Sequence, residues 1–303
     1  MSTSRRVGIS NDETSSQILL DPTNAFLVVG GDGAETDCVK LDINTKQHHN
    51  LPSLNVGRCE TTAVKVGTKI FVFGGAEDAC GNNSHRSCET LDMNDPTEWS
   101  ILPDLLEPRD SLASAVLGES IYVAGGRLND EPLSSFDEFD IGSIQWIKHS
   151  NMLHTRSGFR MIAHQNTLYC IGGSSQQNHA CEFYDFRIGQ WQNMTRLKKG
   201  RWGLASVLYD GKIYSIGGWN GQHPMSSVEY YDLTANKWAY AGSLNVGRAF
   251  HGACVVGGKI YAIGGQNSSG QTGSVEVFDP VSDSWSVFMD LDEPRYEGAV
   301  VAV

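Results

Sequence analysis

Six Gly-Gly doublets recur along this 303-residue chain at intervals of 44 to 51 residues. Most follow a short apolar run that contains β-branched or aromatic residues, as in residues 121–126, 213–218 and 260–265. Such runs predict buried strands that end at glycine turns. A regular period of this length predicts a repeat architecture, in which each repeat is one small unit of a common fold. The six periodic doublets are Gly30-Gly31, Gly74-Gly75, Gly125-Gly126, Gly172-Gly173, Gly217-Gly218 and Gly264-Gly265, whereas a seventh, Gly257-Gly258, lies outside the period.

Three further landmarks share this period. In five repeats an Asp lies six or seven residues before a Trp, and another acid lies three residues before that Asp. The first repeat differs, because Asp42 is followed by His48 and Val39 stands in place of the acid. An arginine opens an apolar stretch ahead of each doublet from the second onward. The arginines are Arg58, Arg109, Arg156, Arg201 and Arg248, and the acids are Glu89, Asp137, Glu182, Glu229 and Glu276.

Doublet, acid, Asp and Trp together resemble the kelch repeat, over roughly residues 25–303. Kelch repeats form the blades of a β-propeller, each with four strands named a to d from the central channel outward. The resemblance therefore implies an all-β, six-bladed kelch propeller with four antiparallel strands per blade. The polar segment 1–24 precedes the first blade, and we expect it to be an N-terminal tail or linker remnant.

The two ends of the repeat array predict how the ring closes. The first repeat has no arginine-led strand before its doublet, whereas such a strand follows the last repeat and begins at Arg295. We therefore expect the C-terminal strand to complete blade one as its strand a. This arrangement would pair sheet edges that are otherwise open and would join the ring by main-chain hydrogen bonds.

Composition and charge limit the kinds of partner. A net charge of −12 and a pI near 5.1 argue against nucleic acid and anionic membranes. The sequence shows neither a long apolar run nor a secretion signal. Its seven cysteines are odd in number and scattered, which suits a reducing compartment. We expect a cytoplasmic protein.

Repetition separates scaffold residues from candidate binding residues. A residue type present in every blade serves the blade, so we expect the arginines and tryptophans to be structural. The arginines should bond carbonyls or acids between blades. A single partner requires residues that differ among blades. Such residues follow the doublets, in the loops from strand b to c, and follow the arginines, in the loops from strand d to a, which emerge on one face of a propeller.

In kelch domains of the Kelch-like adaptor family, the partner peptide contacts these loop positions, so the resemblance implies the same use here. Large side chains make the strongest anchors. The large candidates are Arg127, Trp202, Trp219, Phe250 and Tyr296, with loop packing as the alternative for the aromatics. The polar candidates are Asn129, Ser157, Asn220, Gln266 and Asn267. Arg160 falls where other blades have small residues, and it could meet an acidic partner or pair with Glu60 or Glu297.

The repeats are similar to those of Kelch-like proteins, in which BTB and BACK domains precede the propeller and recruit a cullin-3 ubiquitin ligase. By that resemblance the chain is a substrate-recognition module that binds a protein or peptide. It would reach cullin-3 only through BTB and BACK domains, which these 303 residues do not contain. The alternative is a cytoskeletal propeller, for example one that binds actin, or a scaffold without a ligase role.

We expect neither a catalytic site nor a cofactor. Cys80, His85 and Cys88 could supply three metal ligands, but their spacing matches no usual zinc pattern. No Ser-His-Asp set stands out, and the Gly-Gly doublets end strands, unlike a phosphate-binding loop that opens a helix. A small-molecule enzyme remains as a third class of function, and it would require a metal or cofactor bound to the protein.

Overall fold

Short antiparallel strands make up the regular structure of the described residues. The computed structural model describes residues 24–78, 81, 83–174 and 179–303. Within those ranges the strands form six four-stranded sheets, which are the blades, and two two-stranded ribbons. Of the predicted tail 1–24 only Asn24 is described, and Cys80 also lies outside the described residues. The described residues contain no helix that is long and apolar enough to cross a membrane.

Each blade runs in chain order from strand a to strand d, except blade one. Blade one contains β1 (Ala25–Val29), β2 (Cys38–Asp42) and β3 (His48–Leu51). Blade two contains β4 (Thr62–Val66), β5 (Lys69–Phe73), β6 (Cys88–Asp92) and β7 (Ser100–Leu102). Blade three contains β8 (Ala113–Leu117), β9 (Ser120–Ala124), the ribbon β10 (Arg127–Leu128) and β11 (Glu131–Pro132), β12 (Phe136–Asp140) and β13 (Gln145–Lys148).

The second half of the chain repeats this plan. Blade four contains β14 (Arg160–His164), β15 (Thr167–Ile171), β16 (Cys181–Asp185) and β17 (Gln190–Met194). Blade five contains β18 (Ala205–Tyr209), β19 (Lys212–Ile216), β20 (Val228–Asp232) and β21 (Lys237–Ala241). Blade six contains β22 (Gly252–Val256), β23 (Lys259–Ile263), the ribbon β24 (Gln266–Asn267) and β25 (Gly270–Gln271), β26 (Ser274–Asp279) and β27 (Ser284–Asp290). The last strand is β28 (Ala299–Ala302).

The C-terminal strand β28 closes the ring. It pairs antiparallel with β1, in a register that sets Ala302 opposite Phe26 and Ala299 opposite Val29. Blade one therefore takes its innermost strand from the far end of the chain and its other three strands from the beginning. Both the six-bladed kelch propeller and the closure predicted from the sequence are confirmed.

The core of the propeller lies between its blades. Six apolar clusters of described residues each join strands of two neighbouring blades. Strand b is covered on both faces, so it is a nearly continuous apolar run; in β5 every residue after Lys69 is buried. This burial on both faces explains why the runs before the doublets do not alternate with polar residues.

The repeat tryptophans join each blade to the preceding one. Each indole Nε1 donates a hydrogen bond of 2.8–3.1 Å to a backbone carbonyl in the segment after the preceding blade's outermost strand. Trp238, for example, bonds the carbonyl of Thr195 while its ring packs against Tyr231. The tryptophans therefore lie at the seams between blades, and blade one has His48 at this position instead.

The repeat arginines bond within their own blade. In five blades the guanidinium Nη2 meets the acid of strand c at 2.6 or 2.7 Å, and Nη1 donates to the carbonyl of the first glycine of the doublet. Arg201 and Glu229 are both fully buried. Burial of the charges is tolerated because they are paired and hydrogen-bonded. The expectation that these side chains bond between blades was wrong.

The glycine doublets instead make the contact between blades. The N–H of Gly75 donates to the carbonyl of Arg109 in the next blade at 3.0 Å, and all six doublets make the equivalent bond. A Cβ atom on Gly74 would lie 2.5 Å from that same carbonyl oxygen. Both glycines also have positive φ angles, 58° and 98°. Only glycine satisfies this close approach and this conformation.

Removal of residues 295–303 deletes β28 and leaves β1 without its inner neighbour. We expect the loss of stability to exceed the roughly 0.5–3 kcal/mol of an ordinary point substitution, because a whole strand and the ring closure are lost. Thermal melting of the truncated and intact chains measures it, with Val281→Ser at an exposed turn as the control. A truncated chain that melts within a few degrees of the intact chain would contradict this closure.

Candidate binding face at the channel mouth

A closed circle of six main-chain hydrogen bonds surrounds one mouth of the central channel. The residue two positions after each arginine donates its N–H to the carbonyl of the same position in the preceding blade, at 2.6–2.9 Å. All six residues have φ between 51° and 59°. We call this set the inner ring, and its members are Glu60, Ser111, Gly158, Gly203, Phe250 and Glu297.

The inner ring holds four non-glycine residues in the left-handed region of backbone conformation. Such a conformation costs about 1 kcal/mol or more for each residue and persists only where surrounding contacts impose it. Here the circle of main-chain hydrogen bonds holds these residues in that conformation. Strain of this kind is concentrated at functional sites in proteins, which makes the channel mouth a candidate site.

The two predicted sets of variable residues meet in pairs on the same face. In five blades the residue after the arginine forms a β-bridge with the residue after the doublet, and in blade one the N–H of Asp32 donates to the carbonyl of Tyr296 at 3.1 Å. The d–a and b–c loops are therefore neighbours. The bridged pairs are Cys59 with Ala76, Asp110 with Arg127, Ser157 with Ser174, Trp202 with Trp219, and Ala249 with Gln266.

The inner ring lines a cavity of about 150 Å³, which we call the mouth cavity. Its two sides differ in chemistry. Blades one to three contribute the carboxyl groups of Glu297 and Glu60, together with Arg127. Blades five and six contribute Trp202 and Phe250, whose rings meet edge to face with centroids 5.2 Å apart. Arg160 of blade four lies between these two sides.

Arg127 is already bound by the acidic side of the mouth cavity. Its Nη2 donates to Glu60 Oε2 at 2.7 Å, and its Nε donates to Asp110 Oδ1 at 2.6 Å. Burial alone would lower the pKa of Arg127, but the carboxylates of Glu60 and Asp110 outweigh it and raise the pKa. The guanidinium is therefore already bonded to two acidic side chains of its own fold before it can meet those of a partner.

Two carboxyl groups of the inner ring have strongly perturbed titration. Burial raises the pKa of Glu60 to about 9, and the neighbouring Asp110 and Glu297 add to the rise while Arg127 opposes it. Burial also raises the pKa of Glu297 to about 8, with Asp32 adding to it. Oε2 of Glu297 is buried and has no hydrogen-bond partner among the described residues. Both groups are therefore able to hold a proton near neutral pH.

Arg160 is a cation without a carboxylate partner in the described part of the chain. It is the first residue of β14, and its Nη1 donates to the carbonyl of Phe159 at 3.0 Å. The pairing with Glu60 or Glu297 that the sequence left open is not formed. Burial lowers its pKa to about 10, so the side chain stays positively charged at neutral pH.

The predicted binding residues divide into two groups. Those that line the mouth cavity are Arg127, Ser157, Arg160, Trp202 and Phe250. Those that lie elsewhere in the loops are Asn129, Trp219, Asn220, Gln266, Asn267 and Tyr296. The side-chain oxygen of Asn220 accepts the N–H groups of Gln222 and His223 at 2.9 Å, and that of Asn267 accepts the N–H of Ser269 at 2.7 Å. These two oxygens stabilise their own turns.

The predicted anchors, which are large side chains, do not include the carboxyl groups of the mouth cavity. Glu60 and Glu297 occupy the same position relative to the arginine as Phe250, which is one of those predicted anchors. The position of these two glutamates, two residues after the arginine, can therefore be read from the sequence. Its importance depends on burial, because a carboxyl group becomes unusual only where water is excluded.

Among the described residues no group of three or more metal-ligating side chains is close enough to hold a metal ion. Of the three candidate ligands in the longest b–c loop, Cys80 lies outside those residues. His85 Nε2 contacts the carbonyl oxygen of Gly57 at 3.2 Å, and Cys88 is buried in β6. These two side chains thus serve the packing of blade two.

The repeat and the blade geometry agree with a known family. The family model for the KLHDC2/KLHL20/DRC7 Kelch-repeats domain matches residues 19–196 and 148–298, which together cover most of the chain. The chain belongs to the kelch-repeat family. The resemblance drawn from the doublets, acids and tryptophans is thereby confirmed.

Curated relatives of the chain include several Kelch-like proteins. Kelch-like protein 25 of Xenopus tropicalis is 28% identical over 158 residues, which are 52% of this chain and 26% of that protein. Kelch-like protein 15 of Homo sapiens is 26% identical over 168 residues, which are 49% of this chain and 28% of that protein. The matched region spans about a quarter of the length of these relatives.

A solved structure shares the fold. The structure of YjhT matches with a TM-score of 0.73 at 17% identity, and the match covers 83% of this chain and 89% of that chain. At this level of identity the likeness concerns the propeller architecture alone.

The raised pKa values of Glu60 and Glu297 predict that stability falls as pH rises. In the unfolded chain these carboxyl groups titrate near 4.5, whereas in the folded chain they titrate near 9 and 8. Between these values the folded state binds more protons, so the free energy of unfolding decreases as pH rises from about 5 to about 9. Urea unfolding at pH 5, 7 and 9 measures the slope.

The variant Glu297→Gln is the matched comparison, since it keeps the shape of the neutral carboxyl group and cannot lose a proton. We expect its stability to decrease less with pH than that of the natural chain. Identical pH dependence in the two proteins would show that Glu297 titrates as it does in the unfolded chain.

Proposed function

We propose that the chain binds a segment of another protein at the channel mouth. The kelch propeller and the Kelch-like relatives support a protein-binding function. The observation that carries the proposed location is the mouth cavity, where all six blades contribute different side chains to one concave surface. A partner without sixfold symmetry needs such a surface, because repeated positions offer the same chemistry in every direction.

The dimensions of the mouth cavity suit one anchoring side chain. A cavity of about 150 Å³ is comparable to one that accepts a benzene-sized group. Trp202 and Phe250 offer an aromatic wall for such a group, and Arg160 offers a cation beside it. We propose that an apolar or aromatic side chain of the partner enters the cavity while an acidic group of the same segment approaches Arg160.

We propose further that this propeller is the substrate-recognition module of a cullin-3 ubiquitin ligase adaptor. The support is its similarity to Kelch-like proteins, of which it matches about a quarter of the length. In such an adaptor the propeller selects the substrate, and contact with cullin-3 belongs to BTB and BACK domains. The proposal therefore concerns the parent protein, whereas the binding of a partner segment concerns this chain.

The thiols support a reducing compartment, and we propose the cytoplasm. All six described cysteines are free and buried. Burial raises the pKa of the Cys38 and Cys88 thiols to about 12, so they are weak nucleophiles at neutral pH. They serve as packing residues between strands.

Substitution of the aromatic wall tests the binding site. Affinity capture with the intact propeller first identifies the partner. We then expect Trp202→Ala and Phe250→Ala each to weaken binding about tenfold or more, since a buried aromatic anchor contributes about 2 kcal/mol. Isothermal titration measures this. Tyr240→Ala, at an exposed position on the outermost strand β21, is the control and should bind normally.

A scaffold tryptophan should behave in the opposite way. Trp238→Ala removes a buried indole between blades four and five, and we expect it to lower stability by about 3–5 kcal/mol.

If both Trp202→Ala and Phe250→Ala retain full affinity for the captured partner, the interface lies on another surface. The adaptor role has its own test, because the partner's abundance in cells should rise when cullin-3 is depleted. Co-sedimentation with actin filaments tests the cytoskeletal alternative.

A further inference from the structure

Blade one departs from the repeat at positions that meet in one place. Val39 replaces the repeat acid and His48 replaces the repeat tryptophan. The repeat arginine of this blade is Arg295, which belongs to the C-terminal segment. All three residues line a cavity of about 200 Å³, which we call the seam cavity. It lies where blade six meets blade one and shares no lining residue with the mouth cavity.

Blade five shows what the repeat normally places at this position. The carboxylate of Glu229 accepts Nη2 of Arg201 at 2.7 Å and the backbone N–H groups of Lys198 and Lys199 at 2.8 and 3.0 Å. Blades two, four and six bind their glutamates by the arginine together with one or both of these backbone N–H groups. The repeat therefore builds a carboxylate-binding site from one guanidinium and the segment just before it.

Blade one keeps these donors but supplies no carboxylate at the repeat position. Nη1 of Arg295 and Nε2 of His48 are buried and have no hydrogen-bond partner among the described residues. Asp292 and Glu293 stand three and two positions before the arginine, and no described residue accepts their backbone N–H groups. The side chain of Val39 cannot accept a hydrogen bond from the Arg295 guanidinium or from these backbone N–H groups. A buried donor without a partner is costly, so this arrangement favours an acceptor from elsewhere.

The acidic side chains near Arg295 line the seam cavity but remain in contact with solvent. Asp37 approaches Nη2 of Arg295 at 3.0 Å but is 47% exposed, and Glu293 lies 3.5 Å away and is 69% exposed. The carboxylate of Asp292 contacts Nδ1 of His48 and is 79% exposed. Because all three are solvated, water weakens their repulsion of a further anion.

Blade three shows that a second acid beside the repeat arginine is compatible with a bound carboxylate. Glu107, two positions before Arg109, contacts Nη2 of that arginine at 3.1 Å. The same Nη2 also holds the buried carboxylate of Asp137 at 2.6 Å. Glu293 is the counterpart of Glu107 in blade one, so its presence leaves the carboxylate position usable.

We propose that the seam cavity binds a carboxylate group on a short aliphatic chain that another molecule supplies. The carboxylate lies between Arg295 and the backbone N–H groups of 292–293, as the glutamates lie between the arginine and these groups in other blades, and His48 lies beside it. Val28, Val39 and Leu291 line the cavity and contact the aliphatic part. A free short-chain carboxylic acid and the glutamate side chain of a partner protein present this same chemistry.

Titration with propionate tests the site on the intact protein. The amide signals of Asp292 and Glu293 in ¹H–¹⁵N spectra should shift saturably at millimolar propionate, and chloride at equal ionic strength should not reproduce the shift. The variant Val39→Glu supplies the carboxylate from within, as the other blades do. We expect it to bind propionate about tenfold more weakly or worse, because its own carboxylate occupies the charged donors. Val281→Glu, at a 94% exposed position, is the matched control and should respond normally.

A second probe distinguishes the two sources of the carboxylate. An N-acetylated, C-amidated Gly-Glu-Gly peptide carries the group only as a glutamate side chain. Response to propionate alone assigns the site to free acids, and response to the peptide assigns it to a partner's glutamate. The absence of a saturable shift with both probes overturns the proposal, as does an undiminished propionate response in Val39→Glu. None of these outcomes depends on the protein that binds at the channel mouth.

Discussion

The propeller depends on its repeat arginines, because each one bonds the preceding blade through its backbone carbonyl and its own blade through its guanidinium. The carbonyl of Arg201 accepts the N–H of Gly173 in the preceding blade at 2.9 Å, while its guanidinium meets Glu229 of its own blade at 2.7 Å. One residue thus ties the inner strands of a blade together and ties that blade to its neighbour. In five blades the charges are tolerated in the core because each arginine is paired with an acid and also bonds a backbone carbonyl. The glycine doublet is the other half of this junction, because any side chain there would strike the carbonyl.

The candidate site follows directly from this junction. With each arginine held in place, the residue two positions later is brought close enough to the next blade to complete the inner ring. All six residues of the inner ring line the mouth cavity, so its chemistry depends on which side chains the blades carry there. In this chain those side chains are carboxyl groups on one side and aromatic rings on the other. The scaffold is therefore uniform, and the chemistry of the mouth cavity comes from the differences among blades.

Blade one is built from both ends of the chain. Its arginine reaches the blade from the opposite end of the chain, since Arg295 and Asp37 are 258 positions apart in the sequence. The acid and the tryptophan of the repeat are both absent from this blade, and a cavity of about 200 Å³ lies at the closing seam beside Val39 and His48, which replace them. Main-chain pairing of β28 with β1 holds the ring closed there.

The sequence by itself determined the number of blades, the strand that closes them and the loops that meet around the channel mouth. These features follow from local signals, namely apolar runs, glycine turns and their period, which act over a few residues. Only the tertiary structure decided that the arginines pair within blades and that Val39 and His48 share a cavity. It also decided that Arg127 is held by Glu60 while Arg160 meets no carboxylate of the described residues. Contacts of this kind join residues far apart in the chain, 67 positions for Arg127 and Glu60, and their energies depend on burial, which a linear pattern does not reveal.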